Sequence, residues 1–207
     1  MDKKITSKTM DAHDHIRPHF NFDNSFARSL EGFFVSCQAE PAVALKLLQF
    51  NHALADGLTR FIGFSGHNRP ARFVKALKNF QADVLLNAVN FVDRLTYNFE
   101  ESVWPLASRL KMGLIAMKVF GGEDKSKNIK LSHSFMPVEY HDLAFRYALS
   151  IPGTASIAIG MATRVELHQN IKRAQIFKPI TSLDANQLKK IGQQLAKNWG
   201  PHLGAVT

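Results

Sequence analysis

Three histidines near the start, His13, His15 and His19, have a His-x-His-x-x-x-His spacing that could chelate zinc. They sit in a polar stretch without cysteine ligands or a predicted scaffold, so they read as solvated loop residues. Cys37, the single cysteine, could serve as a thiolate nucleophile. No histidine in the local pattern stands ready to activate it, and a small buried hydrophobe is the plainer reading. One cysteine cannot form an internal disulfide, so nothing signals an oxidising compartment and a cytoplasmic location is expected. Lys125, Lys127 and Lys130 could meet an anion, but no aromatic residues interleave with them, and no nucleic-acid partner is expected.

Charge favours anions more generally. The 207 residues carry 26 Lys and Arg against 17 Asp and Glu, a net charge of +9. Over half of the excess lies beyond residue 162, where Arg164, Lys172, Arg173, Lys178, Lys189, Lys190 and Lys197 oppose only Glu166 and Asp184. Such a surplus suits a phosphorylated ligand and equally a solvated face. The longest apolar runs fall far short of the ~20 residues that cross a bilayer, so no membrane span is expected.

The elements that must position any site alternate between short apolar runs and longer amphipathic ones, as in a parallel sheet with crossover helices. Phe33-Phe34-Val35 reads as a strand, followed by a helix over 41–56 that ends at Gly57. Residues 60–65 read as the clearest strand. A helix starts near Pro70 and carries Phe73, Val74, Leu77 and Phe80 on one face. Residues 84–86 form the next strand, 100–109 a helix, and 113–119 a continuous apolar run of the kind buried on both faces. A surface loop over 123–134 leads to a helix over 139–150, a strand over 156–159 and a helix over 163–174. Ser182 is placed to N-cap a last helix reaching 198. With a weaker strand over 4–7, the count is about six β-α units in one domain, 1–207. That number fits either an open doubly wound sheet or part of a (β/α)8 barrel, which normally needs about 250 residues; length alone leans towards the open sheet. No Gly-x-Gly-x-x-Gly follows any predicted strand, so the mark of a Rossmann cofactor site is absent.

Arg60-Phe61-Ile62-Gly63-Phe64-Ser65-Gly66-His67 resembles the Arg-x-Ile-Gly-x-Ser strand of the aldo/keto reductases. Further matches follow in family order: 83–90, Gly113-Leu114-Ile115-Ala116-Met117-Lys118, and 148–161 with Gln169-Asn170 behind it. The resemblance covers 5–181. It implies an α/β (β/α)8 TIM barrel, incomplete here, and reduction of small carbonyl compounds with NADP(H). The segment Ile5-Thr6-Ser7-Lys8-Thr9 is similar to the family's third strand, so the first two β-α units have no counterpart in this sequence.

Residue by residue, the resemblance makes Lys8 the surviving member of the catalytic set. The family's aspartate and tyrosine lie upstream of that lysine, whereas Tyr97, Tyr140 and Tyr147 all lie downstream. A positioned general acid typically contributes ~100-fold to ~10,000-fold to such reactions, so impaired turnover is expected. The cofactor side is better kept. Ser65 would bond the carboxamide, Asn87 would replace a glutamine, and Met117 and Lys118 would stand for the ring-stacking tyrosine and the serine after it. Thr163 would contact the adenosine 2′-phosphate, Gln169 and Asn170 would contact the adenine, and Gly160 would be a further cofactor-binding position. Glu166 stands where NADPH-dependent members often place an arginine. The alternative is a non-catalytic nucleotide-binding or interaction remnant, with self-association through exposed sheet edges.

Overall fold

A computed structural model of the chain describes residues 34–36, as backbone alone, together with 54–123 and 134–207. Among these, five strands form one parallel sheet: β1 (Phe34–Ser36), β2 (Gly63–Gly66), β3 (Val84–Ala88), β4 (Gly113–Met117) and β5 (Thr154–Ala158). Their spatial order is their chain order, and every neighbouring pair is parallel. A doubly wound sheet reverses its strand order at a switch point, whereas an arc of a barrel adds each strand to the last. The fold is therefore an incomplete α/β barrel, and the leaning towards an open sheet is corrected. The predicted strand over 4–7, Lys8, the three early histidines and Cys37 lie outside the described residues.

Local chemistry sets the helix boundaries. Helix α1 (Pro70–Asn79) opens with a proline in its first turn, where a missing N–H costs nothing, and buries Phe73, Ala76 and Leu77. Phe80 does not share that face: its backbone is extended at the C-cap, and its ring is exposed. The helix expected over 100–109 is two short ones, α2 (Phe99–Ser102) and α3 (Trp104–Arg109). Pro105 has no N–H to give a carbonyl four residues back, so the ladder breaks at Val103. Helix α4 (His141–Ser150) follows a 3-10 turn at Val138–Tyr140. The last two, α5 (Arg164–Gln175) and α6 (Ser182–Trp199), both start with capping boxes, Thr163 with Glu166 and Thr181 with Asp184. Thr181, not Ser182, is thus the N-cap of α6.

Strand boundaries also shift. The strand expected over 60–65 begins only at Gly63, the run over 113–119 stops at Met117, and 156–159 becomes Thr154–Ala158. Lys118 ends β4 because it takes a left-handed conformation, φ 57°, which no strand continues through.

Register and alternation separate the two faces of the sheet. Phe64, Leu85 and Leu114 are in register, as are Gly66, Asn87, Ala116 and Ile157. This face packs under the helices in one core with Phe73, Leu77, Trp104, Ala107, Ala144 and Ala148. Each large apolar side chain so buried contributes ~1.5–3 kcal/mol of transfer free energy. At Gly66 the approach is so close that an added Cβ would stand 2.5 Å from Phe73 Cζ. The opposite face carries Ser65, Leu86, Ile115 and Ser156 in one row and Ala88, Met117 and Ala158 in the next. In β4 the residues of this second face are half-buried while Leu114 and Ala116 are buried, so the strand is not covered equally on both sides. No helix among the described residues is long and apolar enough to cross a membrane.

Candidate functional site

In parallel α/β sheets, ligands bind beyond the carboxyl ends of the strands, where successive loops converge. Alternation decides which side chains at that end look into the hollow of the arc. Ser65 and Met117 do, and both are half-buried. Ser65 supplies a hydroxyl that can donate and accept, and Met117 a flexible apolar surface suited to a flat ring.

Asn87 does not join them. Leu86 and Ala88 take the inner positions of β3, so Asn87 points to the helix layer, where it is fully buried. Its Nδ2 donates to the Gly66 carbonyl at 3.2 Å, and its Oδ1 accepts from the Trp104 indole at 3.3 Å. The role expected for Asn87 against a ligand is corrected to a bond between sheet and helix. Ala88, one residue on, holds the inward position there and offers no hydrogen-bonding group.

Beyond the strand ends, His67 and Lys118 face each other electrostatically. Burial, and then the positive charge of Lys118, hold the His67 pKa at about 4, so its imidazole is neutral at physiological pH. The Lys118 side chain lies against Gly122, and its carbonyl accepts from Asn90 Nδ2 at 3.0 Å.

A buried polar network fixes the loops around this end. Asn90 Oδ1 accepts from the backbone N–H groups of Val92 and Asp93, at 3.0 and 2.8 Å, while its Nδ2 donates to Asp93 Oδ2 at 2.6 Å. Asp93 Oδ1 accepts from the Trp199 indole at 3.0 Å and lies 3.7 Å from His202 Nδ1. Desolvation raises the Asp93 pKa, opposed by His202 and by the two hydrogen bonds. The segment after α6 then crosses these loops. His202 Nε2 contacts the Gly121 carbonyl at 2.8 Å, Asn68 donates to the Leu203 carbonyl at 3.0 Å, and Tyr97 bonds both Leu203 N and the Gly204 carbonyl. Loops after β2, β3 and β4 are thereby pinned by one stretch of chain.

Helix α5 approaches from the β5 side with its polar face. Thr163, Glu166, Asn170 and Arg173, spaced as one helical stripe, are the half-buried residues, while Val165, Leu167 and Ile171 are exposed. Arg173 sits 5.9 Å from the centroid of the Phe120 ring and donates to Asn170 Oδ1 at 3.0 Å. The Phe120 ring stacks on His141 at 3.9 Å. Gln169 is exposed and lies off the polar stripe. Gly160 is open, with nothing near the place a Cβ would take.

The structure thus brings Ser65, Met117, Lys118, Thr163 and Asn170 to the carboxyl end of the arc and leaves Asn87 and Gln169 out. Sequence reasoning missed His67, Asn90, Asp93, Trp199 and His202. A local signal existed for two of them, since Asn90 and Asp93 interrupt an otherwise apolar stretch at an Asn-x-x-Asp spacing.

No family model matches the chain. A stretch of 39 residues, 19% of this chain, is 56% identical to the protein nucleotidyltransferase YdiU of Cereibacter sphaeroides strain ATCC 17025, of which it spans 8%. Among solved structures, the chain is similar to the holo form of aldo-keto reductase AKR11C1 from Bacillus halodurans, with a TM-score of 0.56 and 15% identity. That match covers 83% of this chain and 62% of the reductase. It is also similar to the thermostable aldo-keto reductase Tm1743 in complex with the inhibitor epalrestat, with a TM-score of 0.54, 14% identity, and coverage of 88% of this chain and 67% of that one. At such identities the likeness is one of fold.

Proposed function

We propose that this chain is the dinucleotide-holding part of an aldo/keto reductase-like oxidoreductase that acts on aldehydes or ketones with NAD(P)H. The observation that carries the reading is the grouping at the carboxyl end of the arc. Ser65 and Met117 face the hollow from β2 and β4, and the polar stripe of α5 reaches Phe120, just beyond the end of β4. A bound nicotinamide supplies hydride chemistry. The chain's own residues then supply a hydroxyl at Ser65 for the carboxamide, an apolar seat at Met117, and a cation at Lys118.

Proton delivery is the weaker half. Tyr97 and Tyr147 are both committed within the fold, Tyr97 to Leu203 and Gly204 and Tyr147 to Glu100 Oε1 at 2.5 Å. Burial, then Glu100, pushes the Tyr147 hydroxyl pKa far up, opposite to what a proton donor needs. Lys8 is the catalytic residue that the resemblance assigns. Titration of the full chain with reduced dinucleotide, followed by coenzyme fluorescence, is expected to show saturable binding that Ser65→Ala weakens. Absence of saturable binding overturns the reading. Aldehyde turnover is expected to be weak or nil, and turnover abolished by Lys8→Met excludes the non-catalytic alternative.

That alternative, a remnant that works through association, has one observation in its favour. Among the described residues β5 is an edge strand with Ala155 and Ser156 exposed, beside the outward Val165, Leu167 and Ile171 of α5. A concentration-dependent dimer seen by light scattering, with no dinucleotide binding, supports it.

A further inference from the structure

We infer that the segment after α6 is a strap that a proton on His202 fastens across the carboxyl end of the arc. The loops after β2, β3 and β4 are then held tightly in mild acid and loosely in mild alkali. This device stands apart from the dinucleotide reading, since no ligand takes part in it.

Its geometry centres on one ring. His202 lies flat against Phe135, with centroids 4.6 Å apart and planes 4° from parallel, and the Trp199 indole meets it edge-on at 5.4 Å. A ring clamped in this way does not turn to find new partners. Its Nε2 lies 2.8 Å from the Gly121 carbonyl, which only accepts, so Nε2 carries a proton whether the ring is neutral or charged. The other nitrogen, Nδ1, is buried and has no hydrogen-bond partner among the described residues. What faces it, at 3.7 Å, is Asp93 Oδ1. In the neutral ring two buried acceptors confront each other with no proton between them. In the imidazolium the same nitrogen is a donor, and its charge meets the opposite one without any rearrangement.

Asp93 is suited to that partnership. Its two oxygens accept from Trp199 Nε1 and Asn90 Nδ2, the pattern of an ionised carboxylate. Burial raises its pKa, and His202 is the first of the groups that oppose the rise. Two other titratable groups stand near the ring. Tyr97 is engaged with Leu203 and Gly204, and the Lys118 side chain lies against Gly122, while Phe135 and Trp199 bring no charge.

Proton uptake at one ring reaches three loops because the strap is bound to each. His202 holds Gly121 after β4, Asn68 after β2 donates to the Leu203 carbonyl, and Tyr97 after β3 bonds Leu203 N and the Gly204 carbonyl. Histidine is the side chain that ordinarily changes charge between about pH 5 and 8. The proton-bound form is the fastened one, so attachment strengthens as pH falls through that interval and weakens as it rises.

The test is amide hydrogen exchange in the full chain at about pH 5.5 and about pH 8, with rates corrected for the intrinsic effect of pH. The Leu203 N–H, which donates to Tyr97, is expected to be at least about threefold better protected in acid, relative to amides inside β3. His202→Gln keeps a donor for the Gly121 carbonyl but cannot gain a charge, and it is expected to abolish the difference. Equal protection at the two pH values in wild type, or a difference that survives in His202→Gln, overturns the inference. Should that variant not fold, the His202 ring resonance of the wild-type protein decides. Protection that titrates together with the resonance supports the strap, and protection that changes where the resonance is still overturns it.

Discussion

The indole N–H of Trp199 donates to the buried carboxylate of Asp93 at 3.0 Å, joining the end of α6 to the loop after β3. Asp93 is almost wholly out of water, and its other oxygen is bonded only by Asn90. A buried carboxylate that loses one of its donors bears more of its desolvation cost, with Asn90 and the nearby His202 left to offset it. Trp199→Phe keeps most of the ring packing and removes only the donor. It is expected to lower stability by about 1.5–3 kcal/mol, read as a shift in the urea midpoint at constant slope. An unchanged midpoint would mean that water replaces the indole.

His67 gives a pH dependence of known sign. Its folded pKa of about 4 lies below the ordinary 6.5 of a histidine imidazole. The unfolded chain therefore binds more protons across that window. Stability from this group is fully present above pH 6.5 and declines as pH falls towards 4, by at most about 1.4 kcal/mol per pH unit. Asp93 and Glu100, both raised by burial, act oppositely, since their contribution grows as pH falls through the raised values. Comparing urea midpoints of wild type and His67→Gln across this range isolates the histidine: the difference between the two should change with pH, and a constant difference counts against the shift.

Asn87 and Ser65 should part company in one experiment. Asn87→Ala removes the acceptor of the Trp104 indole and the donor to Gly66, so it is expected to cost about 1–3 kcal/mol of stability while leaving dinucleotide affinity near wild type. Ser65→Ala should do the reverse, weakening the ligand several-fold with little effect on folding. A large affinity loss in a folded Asn87→Ala protein would return that residue to the site.

Gly66→Ala tests the seam between β2 and α1. An added methyl meets the tip of the Phe73 ring, which is buried against Phe99, and the expected cost is about 1–3 kcal/mol. Phe73→Leu shortens the opposing side chain. Combined with Gly66→Ala it should cost less than the two single changes added together, and simple additivity would show that the glycine is not there for clearance.

The order and type of the elements were legible because they depend on local patterns: short continuous apolar runs in β3 and β4, and the spacing of Phe73 and Leu77 in α1. Their limits were less so. Pro105 splits a helix that the apolar pattern alone continues, and Thr181 caps α6 through Asp184 although Ser182 is the neighbouring candidate of the same chemistry. Asn87 shows the sharper limit. Which face it takes depends on a register one residue wide, and a slip of one position exchanges the ligand face for the helix face. Trp199 and His202 could not be foreseen as partners of Asp93, because no pattern links residues so far apart. Glu166, by contrast, stood out as a carboxylate in a basic segment; its hold on the Ala162 and Thr163 amides appeared only with the backbone in place.

Strand order that follows chain order has a kinetic side. Each β-α unit finds its sheet partner in the unit made just before it, so the loops closed at each step are short and the entropy lost per step is small. Assembly can then proceed like a zipper from any starting pair. The tie from Trp199 to Asp93 is the exception, since it closes a loop spanning more than half of the described chain. It should form after the arc is laid down, so removing it is expected to accelerate unfolding while hardly changing the rate of folding.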